Sequence, residues 1–453
     1  MPQKRGRRLV KMGGFQSRST RVRGMAADGE GGDERLRVLV VRGSFAALGG
    51  AERELLQLIR NVDQRWDIGL ATLDLPEDAR SLLDGADVRI HQPSAPMEWP
   101  TGAVAELLAS SSKKASKAWQ NIDIPFDEYD AVHISVCRGS LELLPKIPAT
   151  LPVHYHCLEP PRWLYEDVLH RRIDGTPKRP LWMTKLIFTL QRRRDQRYVR
   201  RLIQRPHSTI SGNSPWIQQW ISELYGIESN PAKVNGEPPK RDAQQRLVEA
   251  THLMHVIDLS MWPQEATVDE SKALEEVPVL PSEYVVTVGQ VSHVKGAWST
   301  VESLRNTGLA LVQVGGGSEE DKAALVQRGT SVGVEVVCMP RLSQVALRAL
   351  IRGSRAMVSH AHKEPFGLTP IEAMAIGVPA LMVDEGGFAD TMAKSNSGRL
   401  IARDDWGAWK AAYLDAKDDK LRKRWSQAGR PYVEQHFSME VQIEALERLL
   451  KII

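Results

Sequence analysis

The sequence predicts an α/β protein made of two doubly wound domains facing a central cleft, and three observations carry that expectation. Short apolar runs of β-type composition alternate with stretches of helical spacing, the pattern of parallel sheets covered by helices. The alternation stops at a proline- and acid-rich stretch, Gln264 to Ser282, and then restarts. A chain of 453 residues, 42% of them apolar, is long enough for two or three domains with real cores.

The elements follow in order. Residues 1–34 lack apolar periodicity and read as a disordered basic tail, a transit peptide or an overcalled start with translation beginning at Met25. The first domain, 35–263, opens with the run Leu36 to Val41, a glycine-containing loop, and helical spacing from Ala51 to Ile59. Ala131 to Val136, Leu151 to His156 and Ser208 to Ser211 are its further strands. Residues 264–282 are the linker. The second domain, 283–435, takes strands at Tyr284–Val288, Ala310–Val314, Val334–Cys338, Ala356–Ser359 and Ala380–Val383. A terminal helix within 436–453 is expected to pack back on the first domain.

Charge excludes some functions. Residues 1–27 hold eight basic and no acidic residues, and 178–205 holds ten basic residues against Asp195. Removing both from the 60 basic and 56 acidic residues leaves 42 against 55. An acidic body with two basic patches is not the diffuse positive surface of a nucleic-acid binder. No apolar run approaches the length of a membrane span. Three distant cysteines, Cys137, Cys157 and Cys338, form neither a metal-type spacing nor a disulfide framework, and suit a reducing compartment.

The most informative segment is His360 to Ala375, which follows a strand and opens a helix. Thr369, Pro370 and Glu372 fit a capping box, with Thr369 as N-cap, and that alone would account for Glu372. Gly367 and the free amides of the helix start suit an anion such as phosphate. Glu364 lies on the loop before them.

Glu364 and Glu372, with seven residues between them framing Pro-Phe-Gly-Leu-Thr-Pro-Ile, resemble the E-x7-E signature of retaining glycosyltransferases of the GT-B fold. The match is to family 4, also known as glycosyl transferases group 1. Further segments resemble the same family: Gly49 to Arg53, Ser211 to Ser214, Val256 to Leu259, Gly289 to Gly296, Gly315 to Gly317, Gly386-Gly387 and Phe437-Ser438.

The resemblance implies two Rossmann-like domains and a nucleotide-sugar held against the second. Glu364 would bond donor-sugar hydroxyls and stabilise positive charge at the anomeric carbon. The amides around Phe366, Gly367, Leu368 and Thr369 would cradle phosphates and sugar, Glu372 would take the ribose diol, and Lys295 would neutralise the leaving diphosphate. No metal or other cofactor is expected. Gln290 stands where the family usually has an arginine, and Arg341 is a candidate substitute, although a plain surface arginine fits it as well. Gly49 and Gly50 would approach the acceptor or the phosphates. His156 either bonds the transferred sugar or acceptor, or is a satisfied structural histidine. Between Ile227 and Val256 an insert carries Pro238-Pro239 and a plausible helix from Asp242 to Ala250, expected to be a surface loop.

The segment 178–205 reads either as a basic amphipathic surface for an anionic membrane or as a helix whose arginines pair with the protein's own carboxylates. The expected function is sugar transfer from a nucleotide-diphosphate sugar to a hydroxyl of a glycan or lipid-linked acceptor, in the cytoplasm or at the inner membrane face. The alternatives are a GT-B epimerase or phosphorylase, and an inactive binding subunit.

Overall fold

The computed structural model describes residues 35–62, 65–100, 110–275, 277 and 279–451. The expected tail, 1–34, lies outside the described residues. Fourteen strands among them form two sheets. The first contains β1 (Leu36–Val41), β2 (Trp66–Ala71), β3 (Val88–His91), β4 (Ala131–Ser135), β5 (Val153–His156), β6 (Ser208–Gly212), β7 (Glu228–Ser229) and β8 (Glu249–His252), in the order β3-β2-β1-β4-β5-β6-β8-β7. The second contains β9 (Tyr284–Val288), β10 (Ala310–Val314), β11 (Val336–Met339), β12 (Met357–Ser359), β13 (Ala380–Val383) and β14 (Gly398–Ile401), in the order β11-β10-β9-β12-β13-β14.

All these pairings are parallel, with Val38 opposite Ile68 on one side and Ala131 on the other. Parallel strands are covered on both faces, which is why β1 is a continuous apolar run with Val38 to Val41 at most 3% exposed. In each sheet the strand order reverses beside the first strand, between β1 and β4 and between β9 and β12. Crevices at such reversals, outside the carboxyl ends of the strands, are where doubly wound sheets bind ligands.

Two expectations need correction. No helix spans Asp242 to Ala250. Asp242 instead closes a turn, its side chain accepting from the amides of Gln244 and Arg246 at 2.9 Å each, and Arg241 bridges antiparallel to Leu247. Nor is the insert a plain surface loop. Its β8 pairs with β6, is fully buried, and is held by Gln218, whose amide donates to the Ala250 carbonyl at 2.8 Å. The insert therefore extends the first sheet.

The chain crosses back at its end. Ile257 N donates to Phe437 O at 3.0 Å, and the helix Met439–Lys451 buries Ile443, Leu446, Leu449 and Leu450 in the core that holds β1 and the helix Gly50–Val62. Gln442 reinforces this seat, donating to Glu54 at 2.6 Å. Residues 264–282 are more than a tether, because the helix Val268–Glu275 lies within them. Its Glu270 is buried and holds Arg348 at 3.1 Å and Arg352 at 3.0 Å on the second domain.

Candidate functional site

The second domain supplies one wall. The loop after β9 runs from Gly289 through the exposed Gln290 to Lys295, and the loop after β12 runs from His360 to Gly367. Lys295 Nζ donates to both carboxylate oxygens of Glu364, at 3.0 and 2.8 Å. Arg403 braces the second loop, donating to the His360 carbonyl at 2.8 Å and pairing with Glu385 at 2.7 Å.

The helix Leu368–Ala375 begins differently from the expected capping box. Its N-cap is Gly367, at φ 93°, and among the described residues no side chain caps the helix. The left-handed backbone there suits glycine, and it places Thr369 inside the first turn. Glu372 then falls in the second turn, too far along to reach back, so the capping role is removed. The first-turn amides lack an intrahelical acceptor and remain available to an anion. Among the described residues the Glu372 carboxyl has no ion pair or hydrogen bond, and burial pushes it up to about 7. Phe366 is buried behind the loop, edge-on to His255 at 5.3 Å and to Phe437 at 5.9 Å.

The first domain supplies the facing wall. The turn at Gly49 and Gly50 opens the helix Gly50–Val62. Gly49 N donates to Glu52 at 2.9 Å, and Glu52 in turn pairs with the buried Arg42. Arg42 also reaches Ser135 Oγ at 2.8 Å and the Val136 carbonyl at 3.0 Å, so the turn is fixed to the end of β4. A Cβ on Gly50 would lie 3.2 Å from Leu368, which shows how closely the two walls meet. Arg341 stands beside them, exposed, with its guanidinium donating to the Leu48 carbonyl at 3.2 Å. Gln290 makes no side-chain hydrogen bond among the described residues.

His156 is buried at the end of β5, with Nε2 at 3.0 Å from the Leu253 carbonyl. Burial, then the nearby His255, His133 and His154, holds its pKa well below the usual range. It is therefore neutral near pH 7, and His255, 5.7 Å away between ring centres, separates it from Phe366. The structure thus gathers Lys295, Glu364, Gly367, Leu368, Gly49, Gly50 and Arg341 at one crevice, with Glu372 and Phe366 immediately behind. His156 lies deeper.

Several contacts between the domains were not evident from the sequence. Ser214 Oγ donates to the Pro365 carbonyl at 2.7 Å and Trp216 N to Asp390 at 2.9 Å, joining the domains beside the loop that carries Glu364. Arg162, almost fully buried, donates to the His362 carbonyl at 2.7 Å and to Glu166 at 2.6 Å. The charged pair flanking Pro160-Pro161, just after a parallel strand, was the available signal.

The basic segment forms the helices Leu181–Ile187 and Thr189–Gln204. Val199 and Leu202 are buried, whereas Trp182, Leu186 and Leu190 are 67%, 69% and 65% exposed. Arg205 donates to the Leu151 carbonyl at 2.7 Å, and among the described residues Lys185, Arg193, Arg197 and Arg200 make no ion pair. Pairing with the protein's own carboxylates therefore does not account for these four. Among the described residues no helix is long and apolar enough to cross a membrane.

Residues 272–431 match the family Glycosyl transferases group 1. The chain is 28% identical over 133 residues to the α-1,3/1,6-mannosyltransferase alg-2 of Neurospora crassa, covering 29% of this chain and 28% of that protein. It is 27% identical over 219 residues to the lipopolysaccharide core biosynthesis mannosyltransferase LpsB of Rhizobium meliloti, covering 44% of this chain and 60% of that one. The matches thus span less than two thirds of either relative. The crystal structure of Anabaena HepE in complex with UDP and glucose superposes with a TM-score of 0.61 at 16% identity, over 92% of this chain and 100% of that one. The segment 272–431 thus carries the match to the glycosyl transferases group 1, and the two facing doubly wound sheets give the chain the GT-B fold.

Proposed function

We propose that the protein is a retaining glycosyltransferase that moves a sugar from a nucleotide-diphosphate sugar to a hydroxyl of a glycan, glycolipid or related acceptor. The observation that carries this reading is the Lys295–Glu364 pair beside an uncapped helix start. A diphosphate seated there would draw Lys295 to itself, and the first-turn amides would share the charge that develops as it leaves. Glu364, released, would accept hydrogen bonds from donor-sugar hydroxyls and face the positive anomeric carbon. The acceptor hydroxyl would attack from the side the diphosphate leaves, and a leaving-phosphate oxygen would take its proton. Lysine and amides supply the neutralisation, so transfer is expected to survive a chelator. The mannosyltransferases and the UDP complex among the similar proteins support a nucleotide-sugar donor.

Screening nucleotide-sugars for release of nucleoside diphosphate, with the product's anomeric configuration read by NMR, tests the reading. Glu364→Ala is expected to abolish transfer with the fold intact, and near-normal transfer by it would overturn the role assigned.

A second part of the reading concerns location. We infer that Trp182, Leu186 and Leu190, flanked by Lys185, Arg193, Arg197 and Arg200, dock on an anionic membrane at the cytoplasmic face. Each basic residue near such a surface contributes up to about 1 kcal/mol, screened by salt. Sedimentation with anionic vesicles is expected to deplete the protein from solution, and sedimentation insensitive to anionic lipid would overturn the inference.

A further inference from the structure

β5 ends at His156, and the chain continues through Cys157, Leu158 and Glu159 to Pro160-Pro161 before Arg162. From this short stretch the first domain reaches the loop that carries Glu364. Arg162 already spends its guanidinium on Glu166 and the His362 carbonyl, two residues before Glu364. Further on, Ile173 is buried in the core of the second domain, and a Cβ on Gly175 would lie 3.2 Å from His293, so the whole excursion is seated across the crevice. Glu159 stands at its root, and its Oε2 is enclosed yet has no hydrogen-bond partner among the described residues. Burial raises its carboxyl to about 7. Among its neighbours Arg162 and Lys295 oppose that rise, while Glu364 and Glu166 add to it. Glu159 therefore shares an electrostatic environment with Lys295 and Glu364 although it belongs to the other domain.

A carboxylate oxygen withdrawn from water and left unpaired is costly to the fold, and such a group calls for a partner, which a bound ligand can supply. The partner has to be a neutral hydrogen-bond donor. An anion would be repelled by Glu159 and Glu364 together, and of the nearby cations Arg162 is spent on Glu166 and the His362 carbonyl while Lys295 is held by Glu364 at both oxygens. Hydroxyl groups meet that requirement, since a carboxylate oxygen accepts from them in the geometry polyols offer. The donor's ribose and phosphates fall to Glu372, the helix amides and Lys295 on the opposite wall, so a carboxylate on the first-domain wall is left for the acceptor.

We propose that Glu159 accepts a hydrogen bond from a hydroxyl of the sugar acceptor, making it an acceptor-binding and specificity-determining residue of this crevice. The proposal rests on the glycosyltransferase reading above. It predicts selection for an acceptor that carries a second hydroxyl beside the reacting one, and discrimination against an analogue lacking it, because the site's polar atom would then be left unpaired.

The test is a binding measurement on the full chain that does not need turnover. Methyl α-D-glucoside, methyl α-D-mannoside and methyl α-D-galactoside, and their single-deoxy analogues, are titrated by saturation-transfer NMR into protein saturated with UDP or GDP. At least one parent glycoside is expected to bind, and one deoxy analogue to bind about tenfold more weakly. Glu159→Ala should weaken the parent by about tenfold and erase the difference from that analogue, Glu159→Gln should recover part of both, and nucleoside diphosphate affinity should stay within about twofold. Equal glycoside binding by the wild type and Glu159→Ala would overturn the proposal, as would no glycoside binding to the wild type, or a parallel loss of nucleoside diphosphate affinity. Failure of the transferase reading shows separately: the wild type would then release no nucleoside diphosphate from any nucleotide-sugar, whatever the glycoside titrations give.

Discussion

Lys295 Nζ lies 2.8 Å from one carboxylate oxygen of Glu364 and 3.0 Å from the other, so the two residues proposed to serve the donor in different ways are each other's partner. The pair is partly solvated, with side chains 38% and 19% exposed. Ion pairs of that exposure contribute little, about 0–1 kcal/mol. Trading it for contacts with a doubly charged diphosphate is therefore cheap, and the pair keeps both side chains aimed at the crevice until the exchange occurs.

Replacing Lys295 with Ala separates stability from function. Loss of the pair should lower stability by no more than about 1 kcal/mol in a urea titration. Loss of charge stabilisation at the leaving diphosphate should lower kcat/KM by about 10²–10³-fold, as for removal of other preorganised groups aimed at developing charge. A variant with a strongly reduced unfolding midpoint but near-normal kcat/KM would contradict the assignment.

The ribose-binding role proposed for Glu372 predicts that donor binding depends on pH. Its carboxyl is raised from 4.5 to about 7 by burial alone. The folded protein therefore holds an extra proton between those values, so this group's contribution to stability is full below about pH 4.5 and is lost as pH rises through 7. Ribose hydroxyls donate to the ionised form, so affinity runs the other way and strengthens as pH rises. A nucleotide-sugar, whose esterified diphosphate does not titrate in this range, should bind up to about tenfold more weakly per pH unit below 7. Glu372→Gln should flatten that slope, with Glu159→Gln as the control for the other carboxyl near 7; an unchanged slope in Glu372→Gln would reassign the effect.

What was legible in the chain follows the range of the interactions. The second-domain wall of the crevice could be read because its parts are local, a strand end, a glycine-bearing loop and a helix start within sixteen residues from His360 to Ala375. β1, β9, β10 and β13 stood out as largely apolar runs with at most one polar residue each, near what parallel strands buried on both faces require. β2 and β14 did not, because Asp67 and Gly69 interrupt one run and Gly398 and Arg399 leave the other with two apolar residues. β8 was hidden by its polar Glu249, Thr251 and His252, buried only because Lys233, the Glu237 carbonyl and Gln218 satisfy them. The roles of Glu159 and Arg162 depend on residues about two hundred positions away, and no spacing rule reveals such a meeting.

The terminal helix ties the end of the chain to the first sheet, which makes its packing testable at a distance from the crevice. Leu446 is 1% exposed in the core shared with Leu55, Ile59 and β1. Leu446→Ala should cost about 2–5 kcal/mol through lost burial and the cavity left behind. The effect should appear as a lower urea midpoint, with nucleoside diphosphate affinity in the folded protein within about twofold, since the donor wall belongs to the other domain. A midpoint within about 0.5 kcal/mol of the wild type would mean that the helix is not part of the folded core.

Gln290 offers a gain-of-function test of how charge is distributed at the donor wall. It is exposed, five residues before Lys295, and its side chain has no hydrogen-bond partner among the described residues. A neutral amide there leaves Lys295 and the helix amides to face the diphosphate, while Arg341 is engaged with the Leu48 carbonyl. A guanidinium at position 290 would add a planar, permanently charged fork that matches phosphate oxygens. Gln290→Arg should therefore tighten UDP or GDP by about tenfold, equivalent to about 1.4 kcal/mol, with a steeper loss of affinity as salt rises. The gain should vanish when Gln290→Arg is combined with Arg341→Ala only if Arg341 helps to hold the diphosphate. If the single variant leaves affinity unchanged, the diphosphate sits beyond the reach of position 290, and the charge must be carried by Lys295 and the Gly367 helix start alone.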